Sequence, residues 1–257
     1  MNLIDVHCHL DGDCYGDLEG LINSVLASGV KKLIVAGVDL NTGRFNKSLS
    51  EKNACCYYTV GFHPTELKAY REGDLEKIAA LANCGKCVAI GEIGLDYHYP
   101  DTDKPLQRRI FTGQLTLAHS LGLPVVIHSR DCAEDMLSII REYKEYLTCG
   151  ALMHCYSHSP EIAAELEKYG FYFSFGGTST YSGSKRARKS IAAISSERLL
   201  TETDSPYVPP LSKKGVFPNT PASIPEITAN MAEIKGVPAE QFADIVWHNA
   251  HALFTKL

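Results

Sequence analysis

A chain of 257 residues, 45% hydrophobic and 21% charged, has the composition of a globular protein long enough to bury one large core. Its net charge of −5 excludes an overall basic field for nucleic acid, and no apolar run approaches the ~20 residues of a membrane span. The N-terminus lacks a basic stretch followed by a long apolar one, so a cytoplasmic location is expected.

The chain opens on apolar Leu3-Ile4-Asp5-Val6 and then His7-Cys8-His9. In a strand, side chains two residues apart share a face about 7 Å apart, so His7 and His9 can start a metal site. The alternative is two surface histidines near a chain end. A helix follows, with Leu18, Leu21, Ile22, Val25 and Leu26 at helical spacing and Gly29 closing it. "KLIVAGV" reads as the second strand. Thr42 to Asn53 is helix-like, and "CYYTVGFHP" is the third strand. "DLEKIAALANC" is helical and "CVAIGEIG" is the fourth strand. A long helix runs from about Lys104 to Leu121 and stops at Gly122, before the fifth strand, "PVVIHS".

"AEDMLSIIREYKEY" is an amphipathic helix through Met136, Leu137, Ile140 and Tyr143. "GALMHCY" is the sixth strand, and "SPEIAAELEKYG" the next helix with Ser159 as N-cap. "FYFSFGG" is the seventh strand, "KRARKSIAAI" a helix and "RLLTETDSP" the eighth strand. After a Pro-rich loop the chain ends in the helices "IPEITANMAEI" and "AEQFADIVWHNAHALF". Eight strands alternating with helices in about 250 residues predict the α/β class and one closed (β/α)₈ TIM barrel over residues 1–257. An open doubly wound sheet is the competing arrangement.

In such barrels chemistry gathers at the C-terminal ends of the strands. His7 and His9 end the first strand, His63 the third, Glu92 the fourth, His128 the fifth, His154 the sixth and Asp204 the eighth. Each alone reads as an ordinary loop or core residue. Together they converge on one mouth, where metal ions would pair the carboxylates and use the imidazole lone pairs. The set exceeds what one tetrahedral zinc needs and suits two divalent ions with Glu92 between them. Ions ~3.5–4 Å apart stabilise both attacking and leaving oxygens, which points to hydrolysis. The mixed N/O set favours Zn²⁺, Mn²⁺ or Co²⁺ over Mg²⁺.

Nine cysteines lie at positions 8, 14, 55, 56, 84, 87, 132, 149 and 155. Without a secretion signal they predict free thiols, and Cys84 and Cys87 read as a chance C-x-x-C rather than a redox or zinc pair. The run Lys185-Arg186-Ala187-Arg188-Lys189, with Lys213-Lys214, is either a solvated face or a rim that contacts phosphate.

The segments "AIGEIGLDYH", "DVHCHL", "VGFHP", "VIHSRD", "HCYS", "LLTETDSPY" and "NAHALF" together resemble the TatD-type metal-dependent deoxyribonucleases, a branch of the amidohydrolase-like barrel hydrolases. The similarity covers nearly the whole chain. It implies one metal position at His7, His9, Glu92 and Asp204, and a second at Glu92, His128 and His154. It also implies Asp204 as general base, His63 near the scissile phosphate, and 3′-to-5′ exonuclease action on DNA, with single strands or 3′ ends as substrate. Arg130, from "HSR", would contact phosphate. Tyr97, His98 or Tyr156 would wall the base site, with plain packing as the alternative. The chain departs from the family in carrying His158 where Gly is usual, and Pro218-Asn219-Thr220-Pro221 where an Arg is often found. His158 thus becomes a further substrate-contact candidate.

The alternatives are a small-molecule hydrolase of a lactone, amide or phosphoester on the same barrel, and a non-catalytic protein with a structural metal. Glu92 occupies the position where such small-molecule enzymes often carry a carboxylated lysine. No membrane partner is expected, and the chain is expected to be a monomer or weak oligomer.

Overall fold

The computed structural model describes residues 1–10 and 12–257. Eight short, branched or aromatic runs form a parallel sheet hydrogen-bonded in chain order. They are β1 (Leu3–Cys8), β2 (Val30–Val35), β3 (Cys56–Val60), β4 (Cys87–Asp96), β5 (Val125–Arg130), β6 (Ala151–Met153), β7 (Phe171–Phe175) and β8 (Leu199–Thr201). Between them run α1 (Leu18–Ala27), α2 (Leu40–Lys52), α3 (Asp74–Ala82), α4 (Lys104–Leu121), α5 (Ala133–Glu142), α6 (Pro160–Glu167) and α7 (Lys185–Ala193). After β8 come α8 (Ile224–Lys235) and α9 (Ala239–Leu253). This is the TIM barrel expected of the sequence.

The seam between β8 and β1 closes largely through side chains. Thr201 Oγ1 donates to the Ile4 carbonyl at 3.1 Å. The Thr203 N–H and hydroxyl donate to the two Asp5 carboxyl oxygens at 3.0 and 2.5 Å. The Asp204 N–H donates to the His7 carbonyl at 3.0 Å, and the His9 N–H to the Ser205 carbonyl at 2.7 Å. Asp5 is fully buried, and burial pushes its pKa well up despite these hydrogen bonds. One acidic residue thus joins the two strands that carry His7 and Asp204.

Helix ends follow local chemistry. Asp17 and Asp103 cap α1 and α4 by accepting from Gly20 N at 2.9 Å and Leu106 N at 2.9 Å. Asp39 and Thr42 form a capping box at the start of α2. Gly122, at φ +64°, ends α4 at the expected residue. Ser159 does occupy the N-cap of α6, but its side chain makes no cap hydrogen bond. Helix α5 stops at Glu142, and Lys144–Tyr146 form a separate 3₁₀ turn.

Two buried glutamines on the inner face of α4 fix the strand ends beneath the mouth. Gln114 accepts from the Phe62 N–H at 2.7 Å and donates back to the Phe62 carbonyl at 3.2 Å. Gln107 accepts from the Asp96 N–H at 2.9 Å and donates to the Pro64 and Asp96 carbonyls at 3.1 and 3.0 Å. All nine cysteines are free thiols. Burial pushes the Cys87 thiol up to about 12, as suits a packing residue. Among the described residues, no helix is long and apolar enough to cross a membrane.

Candidate metal centre

Glu92 owes its position to two glycines. Between Ile90, paired with Val125, and Ile93, paired with Ile127, β4 carries one residue more than β5. This bulge, at Gly91-Glu92, re-aims the side chains beside it. A Cβ on Gly91 would lie 2.6 Å from the Val126 side chain and 2.8 Å from its carbonyl oxygen. A Cβ on Gly94, where φ is +142°, would lie 2.0 Å from the His128 carbonyl oxygen. Only glycine lets β4 approach β5 this closely, and the approach sets Glu92 beside His128.

The other side chains are held by backbone bonds between neighbouring strands. The Glu92 N–H donates to Gly37 O at 2.9 Å, His63 N–H to Val38 O at 2.9 Å, and His154 N–H to Ile127 O at 3.1 Å. Asp204 and Cys155 sit at φ +51° and +44°, in the left-handed region non-glycine residues rarely adopt. Such conformations cluster at functional sites, and here they turn the chain inward just after β8 and β6.

The resulting geometry centres on Glu92, 4% exposed at the floor of a cavity of about 1000 Å³. Its two oxygens face different imidazoles. Oε2 lies 3.2 Å from His7 Nε2 and 3.7 Å from His9 Nε2. Oε1 lies 2.8 Å from His154 Nε2, 3.1 Å from His128 Nδ1 and 3.2 Å from His63 Nε2. Asp204 Oδ1 completes the first group at 3.4 Å from His9 Nε2 and 3.8 Å from His7 Nε2. Ligand atoms of His7, His9 and Asp204 lie within 4.8 Å of one another, as do those of His63, Glu92 and His128.

The two carboxylates are held ionised, and the charges and hydrogen bonds of the carboxylates they face raise His9, His128 and His154 against burial. Burial would raise Glu92, but the charges of His154, His63 and His7 and a hydrogen bond from His128 hold it well below its ordinary value. Burial likewise raises Asp204, and the hydrogen bond and charge of His9 with the charges of His154 and His7 outweigh it. Burial, then the charge of His154, pushes His7 down toward the neutral imidazole a metal needs. Burial would lower His154, but Glu92 and Glu202 raise it strongly. These residues fit a metal on direct structural grounds. Both ring nitrogens of His7, 1% exposed, and Nδ1 of His154 have no hydrogen-bond partner among the described residues. Such buried polar atoms are costly unless something binds them.

Two carboxylates stand behind the histidines, and strand-end reasoning missed both. Asp96, in "GLDYH", lies 2.9 Å from His128 Nε2. Glu202, in "TETD", lies 3.6 Å from His154 Nδ1 and accepts from the Cys155 N–H and the Ser174 hydroxyl, each at 2.6 Å. Asp96, within hydrogen-bond distance of the far nitrogen of His128, fixes that ring and makes its near nitrogen a better ligand, while Glu202 acts on His154 through its charge.

The remaining expected residues divide. His63 and Arg130 line the metal cavity. Tyr97 and His158 do not; they line a neighbouring cavity. Tyr97 donates its hydroxyl to Asp135 at 2.7 Å, and Lys104 covers its ring at 4.3 Å. His158 meets Ser129 Oγ at 2.8 Å. Tyr156 is buried and donates to the Ser159 carbonyl at 2.6 Å, and His98 pairs with Asp131 at 3.1 Å. The aromatics lining the metal cavity are Tyr207, Tyr99 and Phe45, 57%, 50% and 41% exposed. Pro218 and Thr220 do not line it; Asn219 between them donates to the Tyr207 carbonyl at 2.9 Å and so holds that loop.

The chain is similar to known proteins along nearly its whole length. The family profile described as TatD related DNase matches residues 4–255. The chain belongs to the TatD family. It is 36% identical over 253 residues to the uncharacterized metal-dependent hydrolase YabD of Bacillus subtilis (strain 168), covering 98% of each chain. It is 31% identical over 244 residues to a protein of Citrobacter koseri named 3′-5′ ssDNA/RNA exonuclease TatD, covering 93% of each. The crystal structure of YjjV, a TatD homologue from Escherichia coli K12, superposes with a TM-score of 0.93 at 30% identity, over 98% of both chains. As a TatD-family protein, the chain is a metal-dependent hydrolase.

Proposed function

We propose that this TatD-family hydrolase is a 3′-to-5′ exonuclease that cleaves phosphodiester bonds of single-stranded DNA with two divalent cations bridged by Glu92. The observation that carries the reading is the split of the Glu92 carboxylate, Oε2 toward His7 and His9 and Oε1 toward His63, His128 and His154. His7, His9 and Asp204 would hold one ion, His128 and His154 the other, with Zn²⁺, Mn²⁺, Co²⁺ and Mg²⁺ as candidates. Bound there, such ions acidify water and polarise a phosphoryl oxygen.

The chain supplies the rest. Asp204, held ionised at the cavity wall, orients the attacking water and accepts its proton. Water adds to phosphorus as the bond to the 3′ oxygen of the preceding nucleotide breaks, and that oxygen leaves as a hydroxyl. His63 Nδ1 accepts from the Thr65 N–H at 3.2 Å, which leaves Nε2, on the cavity side, to carry the proton and donate to a phosphate oxygen. Arg130 offers a planar pair of donors to the same group. Tyr207, Tyr99 and Phe45 offer stacking faces to an unpaired terminal base, in place of Tyr97, His98 and Tyr156. The named exonuclease among the relatives supports DNA, with RNA as a second polymer of the same chemistry.

The test is cleavage of end-labelled single-stranded DNA by chelated protein given back each metal, beside Glu92→Ala. Metal-dependent shortening from the 3′ end, absent in the variant, is expected. Hydrolysis of a neutral ester, with DNA untouched and no sensitivity to salt, would replace this reading with the small-molecule hydrolase.

A further inference from the structure

A second cavity, of about 680 Å³, opens beside the metal centre between the strand ends and the start of α7. Tyr97, Lys104, Arg130, Ser157, His158 and Arg186 line it. Arg130 and Ser157 also line the metal cavity, so the two cavities adjoin at these residues. Arg186 belongs to the basic run at 185–189, so one member of that run reaches the site.

The charges here are unevenly engaged. Among the described residues, Arg130 and Arg186 form no ion pair within 4 Å and no side-chain hydrogen bond, although Asp131, Glu134 and Asp135 border the same cavity. Asp131 is paired with His98 at 3.1 Å. Asp135 accepts from Tyr97 and lies 3.9 Å from Arg108. Two guanidinium groups therefore face a cavity with their donors uncommitted. Arginine in that state suits phosphate, which it grips through two parallel N–H groups. Base recognition fits less well, because Lys104 already covers the Tyr97 ring.

We infer that this second cavity is a subsite for the sugar-phosphate backbone of the strand upstream of the scissile bond. Arg130, at the wall the two cavities share, keeps its hold on the scissile phosphate. Arg186, with Ser157 and His158, takes one further along. His158 contributes a ring held by Ser129 at 2.8 Å. The inference rests on the exonuclease reading and adds that the enzyme recognises a polymer. A dinucleotide, with one phosphodiester bond, cannot fill both cavities, whereas an octanucleotide can.

The experiment compares kcat/KM on a DNA dinucleotide and on a single-stranded octanucleotide for three metal-loaded proteins: the parent, Arg186→Glu, and Lys189→Glu. Lys189 is exposed, lies in the same basic run and lines neither cavity. The parent is expected to favour the octanucleotide at least tenfold. Arg186→Glu should lose most of that preference, through KM rather than kcat, and Lys189→Glu should keep it. Equal efficiency of the parent on both substrates would overturn the subsite while leaving the exonuclease intact. Equal loss in the two variants would do the same, by reducing the effect to general charge. Failure of the parent to cleave either DNA, while it hydrolyses another ester, would refute the exonuclease reading itself and the subsite with it.

Discussion

Replacing Glu202 by Gln should weaken metal binding while leaving the barrel folded. Glu202 is fully buried behind the wall of the metal cavity, where its carboxylate groups with His7 and His154, and it meets His154 at the ring nitrogen turned away from Glu92. Its oxygens accept from Cys155 N–H and from the Ser174 hydroxyl, both at 2.6 Å. A glutamine can keep the first bond through its carbonyl and turn its amide toward Ser174, whose hydroxyl can rotate to accept. The cost is the difference between charged and neutral hydrogen bonds, about 1–2 kcal/mol. For a chain of this size that lowers Tm by roughly 2–8 °C.

The metal effect is larger than this suggests, because a neutral amide no longer raises the basicity of His154. Loss of such a partner weakens metal affinity about 10- to 100-fold, equivalent to roughly 1.4–2.7 kcal/mol. Calorimetric titration of chelated parent and variant with Zn²⁺ or Mn²⁺ reads it directly. One class of sites should weaken and the other should hold. Affinity unchanged within twofold, in a variant that still unfolds cooperatively, would refute the argument that Glu202 tunes a ligand.

Gly94→Ala should cost about 3 kcal/mol or more, because the new methyl meets the His128 backbone and the residue must keep a positive φ; a Tm within 2 °C of the parent would contradict the close-approach account. Asp74, whose pKa is held down by a hydrogen bond from Lys77 and another from the Arg71 N–H, stabilises the fold most above about pH 4 and loses that contribution as pH falls through its lowered value. The gap in unfolding free energy between parent and Asp74→Asn should be about 1 kcal/mol at pH 7 and shrink steadily as pH falls below about 4, while a gap independent of pH would point to packing. Tyr207→Leu should raise KM for single-stranded DNA about 5- to 100-fold, the worth of one stacked base, with kcat nearly unchanged; an effect on kcat alone would move Tyr207 from base binding to the chemistry.

Much of this molecule is legible in its sequence because the signals are local. Helix α4 begins and ends where Asp103 and Gly122 place it, since both are capping residues acting on adjacent backbone. Strands β6 and β8 are shorter than the segments expected from the sequence, ending before the left-handed residues Cys155 and Asp204. Glu92 announces itself between two glycines that only a close strand approach requires. Asp96 and Glu202 do not, since each looks like any acidic residue near a strand end. Their role exists only where a second strand brings a histidine nitrogen to them. The aromatics are the least legible part. Tyr97, Tyr156 and Tyr207 all follow strands, and only the packing of Lys104, Ser159 and Asn219 around them decides which ring faces the metal cavity.

In the proposed mechanism Glu92 would lie between two cations, one beside each of its two sets of imidazoles. Anomalous diffraction from crystals of the Zn²⁺- or Mn²⁺-loaded protein tests it most directly. Two peaks are expected, one among His7, His9, Asp204 and Glu92 Oε2, the other among His128, His154 and Glu92 Oε1. A single peak, or a second peak away from Glu92, would contradict it.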